Sequence, residues 1–147
     1  MSDPPPVSTW TFETVHEGQE AAFETILAGG RVDQFVAVSG DCSPLHVDSA
    51  FAAERGFAGR VVHGALLGAL VSRLVGVHLP GRDCLLHDLQ LKFIAPALVG
   101  DAVRVHGVVD QKSDGARAIV VRVSIENTRT GALLARGKAT VGFTGAG

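Results

Sequence analysis

The apolar run VVHGALLGALVSRLVGVHLPG, which begins at position 61, constrains the fold more than any other segment. From His63 or Gly64 to just before Pro80 it predicts one helix with Ala, Leu and Val on every face, and such a helix must be covered on every face. The run contains Arg73 and is shorter than the roughly 20 uncharged apolar residues that span a bilayer. We therefore predict a buried central helix and no membrane anchor.

Four segments rich in Val and Leu follow this helix and have the partial alternation and the turn signals of β-strands. They cover residues 85–93, 102–109, 118–127 and 133–141. Consecutive strands joined by short turns predict an antiparallel meander. Together with the helix they predict an α+β fold in which a strongly curved antiparallel β-sheet is wrapped around a long central α-helix.

Shorter elements are predicted before the central helix. They are a strand at residues 10–15, a helix at 19–28, a helix or extended segment at 32–38, and a helix that Asp48 caps and Gly56 ends. The strand rests on alternating polar and apolar side chains, and the helix at 19–28 rests on apolar residues at helical spacing. Aspartate is a preferred residue type at a helix N-terminus.

Length and charge indicate the class of protein. A chain of 147 residues is in the range of one domain, so we predict a single domain at 9–147 after a flexible, proline-rich lead-in at 1–8. The net charge is −2 and the cations form no run, which argues against a nucleic-acid partner. The apolar content of 46% predicts that a second copy of the chain covers part of the surface.

The N-terminal sequence MSDPPPVSTW has neither the charged nor the apolar region of a signal peptide. The chain has only two cysteines and is large enough to fold without a disulfide. We therefore expect a cytoplasmic protein that has no membrane partner.

Candidate catalytic residues cluster in SGDCSPLHVD, residues 39–48. On a helix, Asp41 and His46 would point about 140° apart, but Gly40 and Pro44 favour a turn that can aim both side chains at one water. A carboxylate and an imidazole can serve as base and proton donor. The segment therefore predicts acid–base chemistry in a loop.

The stretch GDCSPLHVD resembles the G-D-x-N-P-x-H-x-D signature of the MaoC-like, (R)-specific enoyl-CoA hydratase family of the hotdog fold. The similarity continues through VVHGALLGALVS, LPG and LKFIAPALVGDAV, roughly residues 32–143. It implies a lyase that reversibly hydrates trans-2-enoyl thioesters to (R)-3-hydroxyacyl thioesters and acts as a homodimer or higher homo-oligomer. No cofactor is implied beyond the coenzyme A or carrier-protein pantetheine that belongs to the substrate.

The resemblance also implies roles for single residues. It implies that Asp41 and His46 hold the catalytic water and that the N–H of Gly64 forms part of the oxyanion hole. Ser72 matches a family serine that contacts the site, and Ser43 stands where the family usually has Asn. The expected oxyanion and substrate-binding residues are together Gly64, Ser72, Ser43 and His63, and His63 is expected to pack or hydrogen-bond at the helix start. Lys92, Arg60 and Arg104 are expected to meet the substrate's phosphates.

Several alternatives remain beside the hydratase. The same chemistry could serve as a dehydratase for a specialised biosynthetic or acyl-carrier-protein-bound acyl group, and Ser43 favours a non-catalytic acyl-binding or stabilising subunit of a heteromeric hydratase. Thioester hydrolysis is disfavoured because residues 64–78 contain neither Asp nor Glu. A Cys42 nucleophile is also disfavoured, and no metal is expected because the spacing matches no standard metal motif.

Overall fold

A five-stranded antiparallel sheet and a central helix form the fold of residues 4–145, which the computed structural model describes. The strands are β1 (Glu20–Ile26), β2 (Cys84–Phe93), β3 (Ala102–Ser113), β4 (Ala118–Asn127) and β5 (Leu133–Phe143). The helices are α1 (Gly29–Ser39), α2 (Pro44–Val47), α3 (Ser49–Glu54) and α4 (Gly64–Arg73), and α4 continues as a π-helical segment, Leu74–His78. Within the described part of the chain, no helix has the length and apolar character needed to cross a membrane.

The sheet curves around the central helix. The strand order is β1-β3-β4-β5-β2, so a flat sheet would separate its two edges by about 19 Å, four spacings of about 4.8 Å. Both edge strands nevertheless approach the same π-helical segment. A single helical segment can reach both edges only if the sheet bends around it, which confirms the predicted architecture.

One side of α4 is buried in the core and the other side is not. Leu67 and Leu70 pack among the inward-facing aliphatic side chains of the sheet. The opposite side is exposed and carries the small residues Ala65, Ala69 and Ser72. The prediction that this helix is covered on every face therefore fails within a single chain, because the sheet bends around only part of its circumference.

Strands β3, β4 and β5 form the predicted meander, but β2 pairs with β5 and not with β3. The chain between β2 and β3 is not a tight turn, because its backbone bonds to other segments. The Val62 N–H donates to the Ala97 carbonyl at 2.8 Å, and the Val99 N–H donates to the Arg60 carbonyl at 2.9 Å. The predicted four-stranded meander is therefore wrong in the position of its first strand.

The helix predicted at residues 19–28 is wrong, since most of this segment is the edge strand β1. Phe23 lies opposite Val105 of β3 in an antiparallel ladder. Its side chain is buried whereas Ala22 and Glu24 are exposed, which is the alternation of a strand. Ala and Glu favour helix locally, but pairing with β3 and burial of Phe23 outweigh that preference.

The strand predicted at residues 10–15 is also wrong. The Thr11 and Thr14 hydroxyls lie 3.0 Å apart and accept hydrogen bonds from the backbone of the same turn. Hydroxyls that bond nearby backbone groups favour a turn over a strand. Of the predicted lead-in, residues 4–8 have no regular structure, and residues 1–3 lie outside the described residues.

The predictions around the motif agree better with the structure. Residues 32–38 belong to α1, so the helical alternative is correct. Asp48 caps α3, and its Oδ1 accepts hydrogen bonds from the N–H groups of Ala50 at 3.0 Å and Phe51 at 3.1 Å. The central helix begins at Gly64 as predicted.

Close contact between β5 and β2 predicts a large loss of stability for Gly137→Ala. A Cβ at Gly137 would overlap the main-chain oxygen of Gln90, and backbone cannot rotate away as a side chain can. We expect a loss of about 3 kcal/mol or more, measured as the free energy of unfolding in urea. The matched control is Gly115→Ala, where a Cβ has no neighbour within 4 Å; equal stabilities of the two variants would contradict the prediction.

Candidate active site

The loop that carries the motif is shaped by a glycine and a proline. α1 ends at Gly40, which has the positive φ of 75° that favours glycine. Pro44 occupies the first turn of α2, where a missing N–H costs nothing. The predicted loop therefore covers only residues 40–43, because residues 44–47 form a single helical turn.

Asp41 lies in the non-helical part of this loop with about half of its side chain exposed, 51%. Its Oδ1 accepts a hydrogen bond from the Ser43 N–H at 3.2 Å. Its own N–H donates to the Ser39 hydroxyl at 3.1 Å. The carboxylate thus has one oxygen, Oδ2, left to face His46.

His46 is held at three points. Its Nδ1 lies 2.7 Å from the Val61 carbonyl, and because a carbonyl only accepts, Nδ1 carries the proton and the neutral ring has its lone pair on Nε2. The Arg60 Nε–H donates to the His46 carbonyl at 2.7 Å. The ring also stacks on His63, with centroids 3.8 Å apart. His46 Nε2 is thereby aimed at Asp41 Oδ2, 3.9 Å away.

A cavity of about 350 Å³ opens beside these residues. Its lining includes His46, Val61, the first turn of α4 with Gly64, and residues 93–97 at the end of β2 and just after it. A Cβ at Gly64 would lie 3.0 Å from the Phe93 ring, so a side chain at this position would crowd that wall. The Gly64 N–H is one of the donors that a helix leaves without an intrahelical partner at its N-terminus, where the helix dipole is positive.

This arrangement can hold one water between two acceptors. A direct hydrogen bond does not span the 3.9 Å between His46 Nε2 and Asp41 Oδ2. A water about 2.8 Å from each atom can donate one proton to each of them. The water would then lie next to a cavity that has a free N–H donor in its wall.

The other predicted site residues lie further from this pair. Ser43 contributes its main-chain N–H to Asp41, and its hydroxyl does not cap α2. Ser72 lies on the exposed side of α4, nine residues after His63 or about 13 Å along a helix. The structure therefore brings Asp41, His46, His63 and Gly64 together but not Ser72.

The residues expected to meet phosphates differ in their surroundings. Arg60 donates to the His46 carbonyl and pairs with Asp33 at 2.6 Å, so it braces the loop, in contrast to the expected phosphate contact. Lys92 is exposed on β2, on the face of the sheet that carries Arg136. Arg104 lies on β3 opposite Glu126 of β4.

Donor atoms of Asp41, His46 and His63 lie within 4.8 Å of one another, a spacing that a metal ion could bridge. Each histidine, however, has one nitrogen within 2.9 Å of a main-chain carbonyl. The second nitrogen of His63, Nδ1, is buried. The arrangement fits proton chemistry better than metal binding, and the absence of a metal stays a prediction.

The cysteines do not have the surroundings of nucleophiles. Cys84 is half-buried, and burial raises the pKa of its thiol to about 11, so it stays protonated at neutral pH. Cys42 is exposed in the motif loop, next to Asp41 in the sequence.

We expect Cys42→Ala to keep kcat/KM of the hydration reaction within about threefold, because the thiol takes no part in it. The measurement is the enoyl-thioester assay described below, with circular dichroism to confirm folding. A loss of more than about 100-fold in a folded variant would instead assign a nucleophilic role to Cys42.

Sequence reasoning missed the segment that braces His46. The Val61 carbonyl acts through its main chain, which leaves no signal in residue type. Phe93 lies in the stretch LKFIAPALVGDAV, but no role at the site was predicted for it. These contacts are visible only in the tertiary structure, where residues 61 and 93 lie beside the motif loop.

Comparisons with known proteins find one matching family and several similar enzymes. Residues 9–130 match the family model of the MaoC like domain. The (R)-specific enoyl-CoA hydratase of Aeromonas caviae is 35% identical over 129 residues, 88% of this chain and 96% of that protein. The corresponding enzyme of Rhodospirillum rubrum is 31% identical over 134 residues, 88% of this chain and 89% of that protein.

Solved structures show the same architecture. The R-hydratase PhaJ1 from Pseudomonas aeruginosa, in its unliganded form, superimposes with a TM-score of 0.88 at 29% identity, covering 95% of this chain and 89% of that chain. The predicted hotdog fold is confirmed.

Proposed function

The chain belongs to the MaoC-like domain family, and we propose on that basis that it adds water reversibly to trans-2-enoyl-CoA thioesters to give (R)-3-hydroxyacyl-CoA. The observation that carries this proposal is the alignment of His46 Nε2 and Asp41 Oδ2 on one water position beside the cavity. The two named hydratases, each matched over most of its length, support the same reaction.

The chemistry follows from the two acceptors. The water oxygen forms a bond to the β carbon of the substrate while one of its protons passes to the Asp41–His46 pair. The π electrons of the double bond shift toward the thioester oxygen. The Asp41–His46 pair then returns a proton to the α carbon. One water is added in total, and the enzyme recovers its initial protonation state.

The oxyanion is stabilised at the start of α4. Negative charge that grows on the thioester oxygen needs a donor in place before the reaction begins. The Gly64 N–H meets this need because it is free of intrahelical bonding, lies at the positive end of the helix dipole and lines the cavity.

The test is the fall in ultraviolet absorbance of the enoyl thioester when the protein is mixed with trans-2-enoyl-CoA substrates from crotonyl-CoA upward. Chiral analysis of the product checks the (R) configuration. Turnover that yields the (R) product supports the proposal. Absence of turnover with coenzyme A and carrier-protein thioesters of every chain length would overturn it.

A non-catalytic subunit is the alternative from a different class, and the loop geometry weighs against it. The residue at position 43 reaches Asp41 through its main-chain N–H. Replacement of the usual Asn by Ser43 therefore leaves this contact in place. A dehydratase that acts on a carrier-protein-bound acyl group would use the same residues, and the carrier-protein substrates in the test distinguish it.

A homodimer is the simplest assembly that covers the exposed side of α4. The edge strand β2 also exposes Leu85 and Phe93, 51% and 53% exposed. A second copy could cover both features, and burial of this surface would stabilise the pair. Light scattering after gel filtration should give twice the mass of the 15.3 kDa chain; a mass of one chain at micromolar concentration would contradict the dimer.

We propose a cytoplasmic location and no added cofactor. Two free cysteines, one exposed, suit a reducing compartment. The acid–base pair needs no redox or metal group for water addition. Activity should therefore survive exhaustive dialysis against EDTA.

A further inference from the structure

The His63 side chain contacts both predicted catalytic residues. Its Nε2–H donates to the main-chain carbonyl of Asp41 at 2.9 Å. Its ring stacks on His46 with planes 23° apart, and Phe35 packs edge-on against it at 4.9 Å. The side chain is only 1% exposed. One buried ring thus ties the backbone of the carboxylate residue to the imidazole of its partner.

The second nitrogen of His63 is not satisfied. Among residues 4–145, its Nδ1 is buried and has no hydrogen-bond partner. An unpaired buried acceptor is destabilising, whereas a phenylalanine ring would fill the same space without this cost. What histidine adds over phenylalanine is the Nε2–H donor. Unsatisfied buried polar groups in native proteins point to a role other than packing.

We propose that His63 is a positioning residue that holds the Asp41 carboxylate and the His46 imidazole at the separation at which they share one water. This inference rests on the proposed hydratase function. The restraint is needed because the Asp41 side chain is half exposed and few neighbours hold it. The hydrogen bond from His63 to the Asp41 carbonyl fixes the backbone that carries the carboxylate. Stacking fixes the plane of the His46 ring, and the Val61 carbonyl fixes its rotation.

The four-residue segment 61–64 therefore contacts both members of the pair and the cavity. Val61 orients His46, His63 ties His46 to Asp41, and Gly64 presents its N–H to the cavity. His63 itself is not among the cavity's lining residues. Its loss should lower kcat while leaving substrate affinity unchanged, since misplacement of a catalytic group by about 1 Å can cost about 100-fold.

The test compares His63→Phe with His63→Gln. Phenylalanine keeps the ring and removes the donor, and glutamine restores an N–H at similar reach. We expect kcat to fall about 10- to 100-fold in His63→Phe with KM within about twofold, and His63→Gln to recover most of that loss. The matched control, His106→Gln, replaces a histidine of β3 that binds Glu20 and should keep wild-type kcat.

A double variant separates positioning from a structural role. If His63 acts through Asp41, adding His63→Phe to Asp41→Asn should lower kcat by less than about twofold, because the two changes remove one function. A fully additive loss would overturn the inference, as would wild-type kcat in a folded His63→Phe or a raised KM with unchanged kcat.

Stability is checked by circular dichroism. If His63→Phe does not fold, His63→Leu replaces it as the variant without the donor in both the single and the double comparison, and unfolding of both assigns His63 a structural role and overturns the inference. Inactive wild-type protein would overturn the proposed function and this inference with it, whereas active wild type with unaffected His63 variants counts against the inference alone.

Discussion

Replacement of Asp41 by Asn should lower kcat of enoyl-CoA hydration by about 10²- to 10⁴-fold, the range that a positioned acid–base group contributes. Asparagine keeps the shape of the side chain and can still accept a hydrogen bond from the Ser43 N–H through its amide oxygen. It cannot take a proton from the water, and its NH2 group can turn toward the water position. The fold should survive because the side chain is half exposed.

The matched control for this change is Asp48→Asn. Asp48 belongs to the same motif, but its carboxylate caps α3, and Asn caps a helix as well as Asp does. We expect wild-type kcat within about threefold. Both variants are assayed for kcat, KM and thermal unfolding. Equal activity of Asp41→Asn and wild type would remove Asp41 from the mechanism.

His46→Gln should reduce kcat by a similar factor, about 10²- to 10⁴-fold. Glutamine can still donate to the Val61 carbonyl or accept from a water, but it cannot do both with the geometry of an imidazole and cannot accept a proton. The variant also loses the stack on His63, so we expect a stability loss of about 1 kcal/mol. Stopped-flow absorbance gives kcat, and urea unfolding gives the stability.

An exposed histidine outside the site serves as the control. The His16 Nδ1 lies 3.2 Å from the Glu17 carbonyl of its own turn, and His16→Gln should leave both kcat and stability unchanged. If His46→Gln loses activity only in proportion to its unfolded fraction, then His46 supports the loop and does not handle protons. Activity lost in a fully folded variant assigns the proton chemistry to His46.

The motif could be predicted from residue types because its signals are local. A carboxylate and an imidazole five positions apart, with Gly40 and Pro44 between or beside them, indicate a turn whatever surrounds it. Asp48 caps α3 for the same reason, since the capping bonds reach only two and three residues onward. Such signals depend on short stretches of chain, so the sequence contains them in full.

The errors concern segments whose partners are distant in sequence. β1 has helix-forming residues, and only its ladder with β3, from Glu20 opposite Val108 to Ile26 opposite Ala102, makes it a strand. The position of β2 likewise depends on its ladder with β5, from Cys84 opposite Phe143 to Phe93 opposite Ala135. Local preference is worth tenths of a kcal/mol per residue, which a ladder and a buried Phe23 exceed.

The sequence by itself determined the central helix, the capped motif loop and the pairing of Asp41 with His46 as candidate acid–base groups. The tertiary structure decided which atoms face each other. It placed the Val61 carbonyl on His46 Nδ1, so that Nε2 is free, and it placed the donor of His63 on the Asp41 backbone. The physical reason is that these bonds join main-chain carbonyls to side chains 15 and 22 positions away. Every residue has a main-chain carbonyl, so residue types cannot predict which carbonyl accepts the bond.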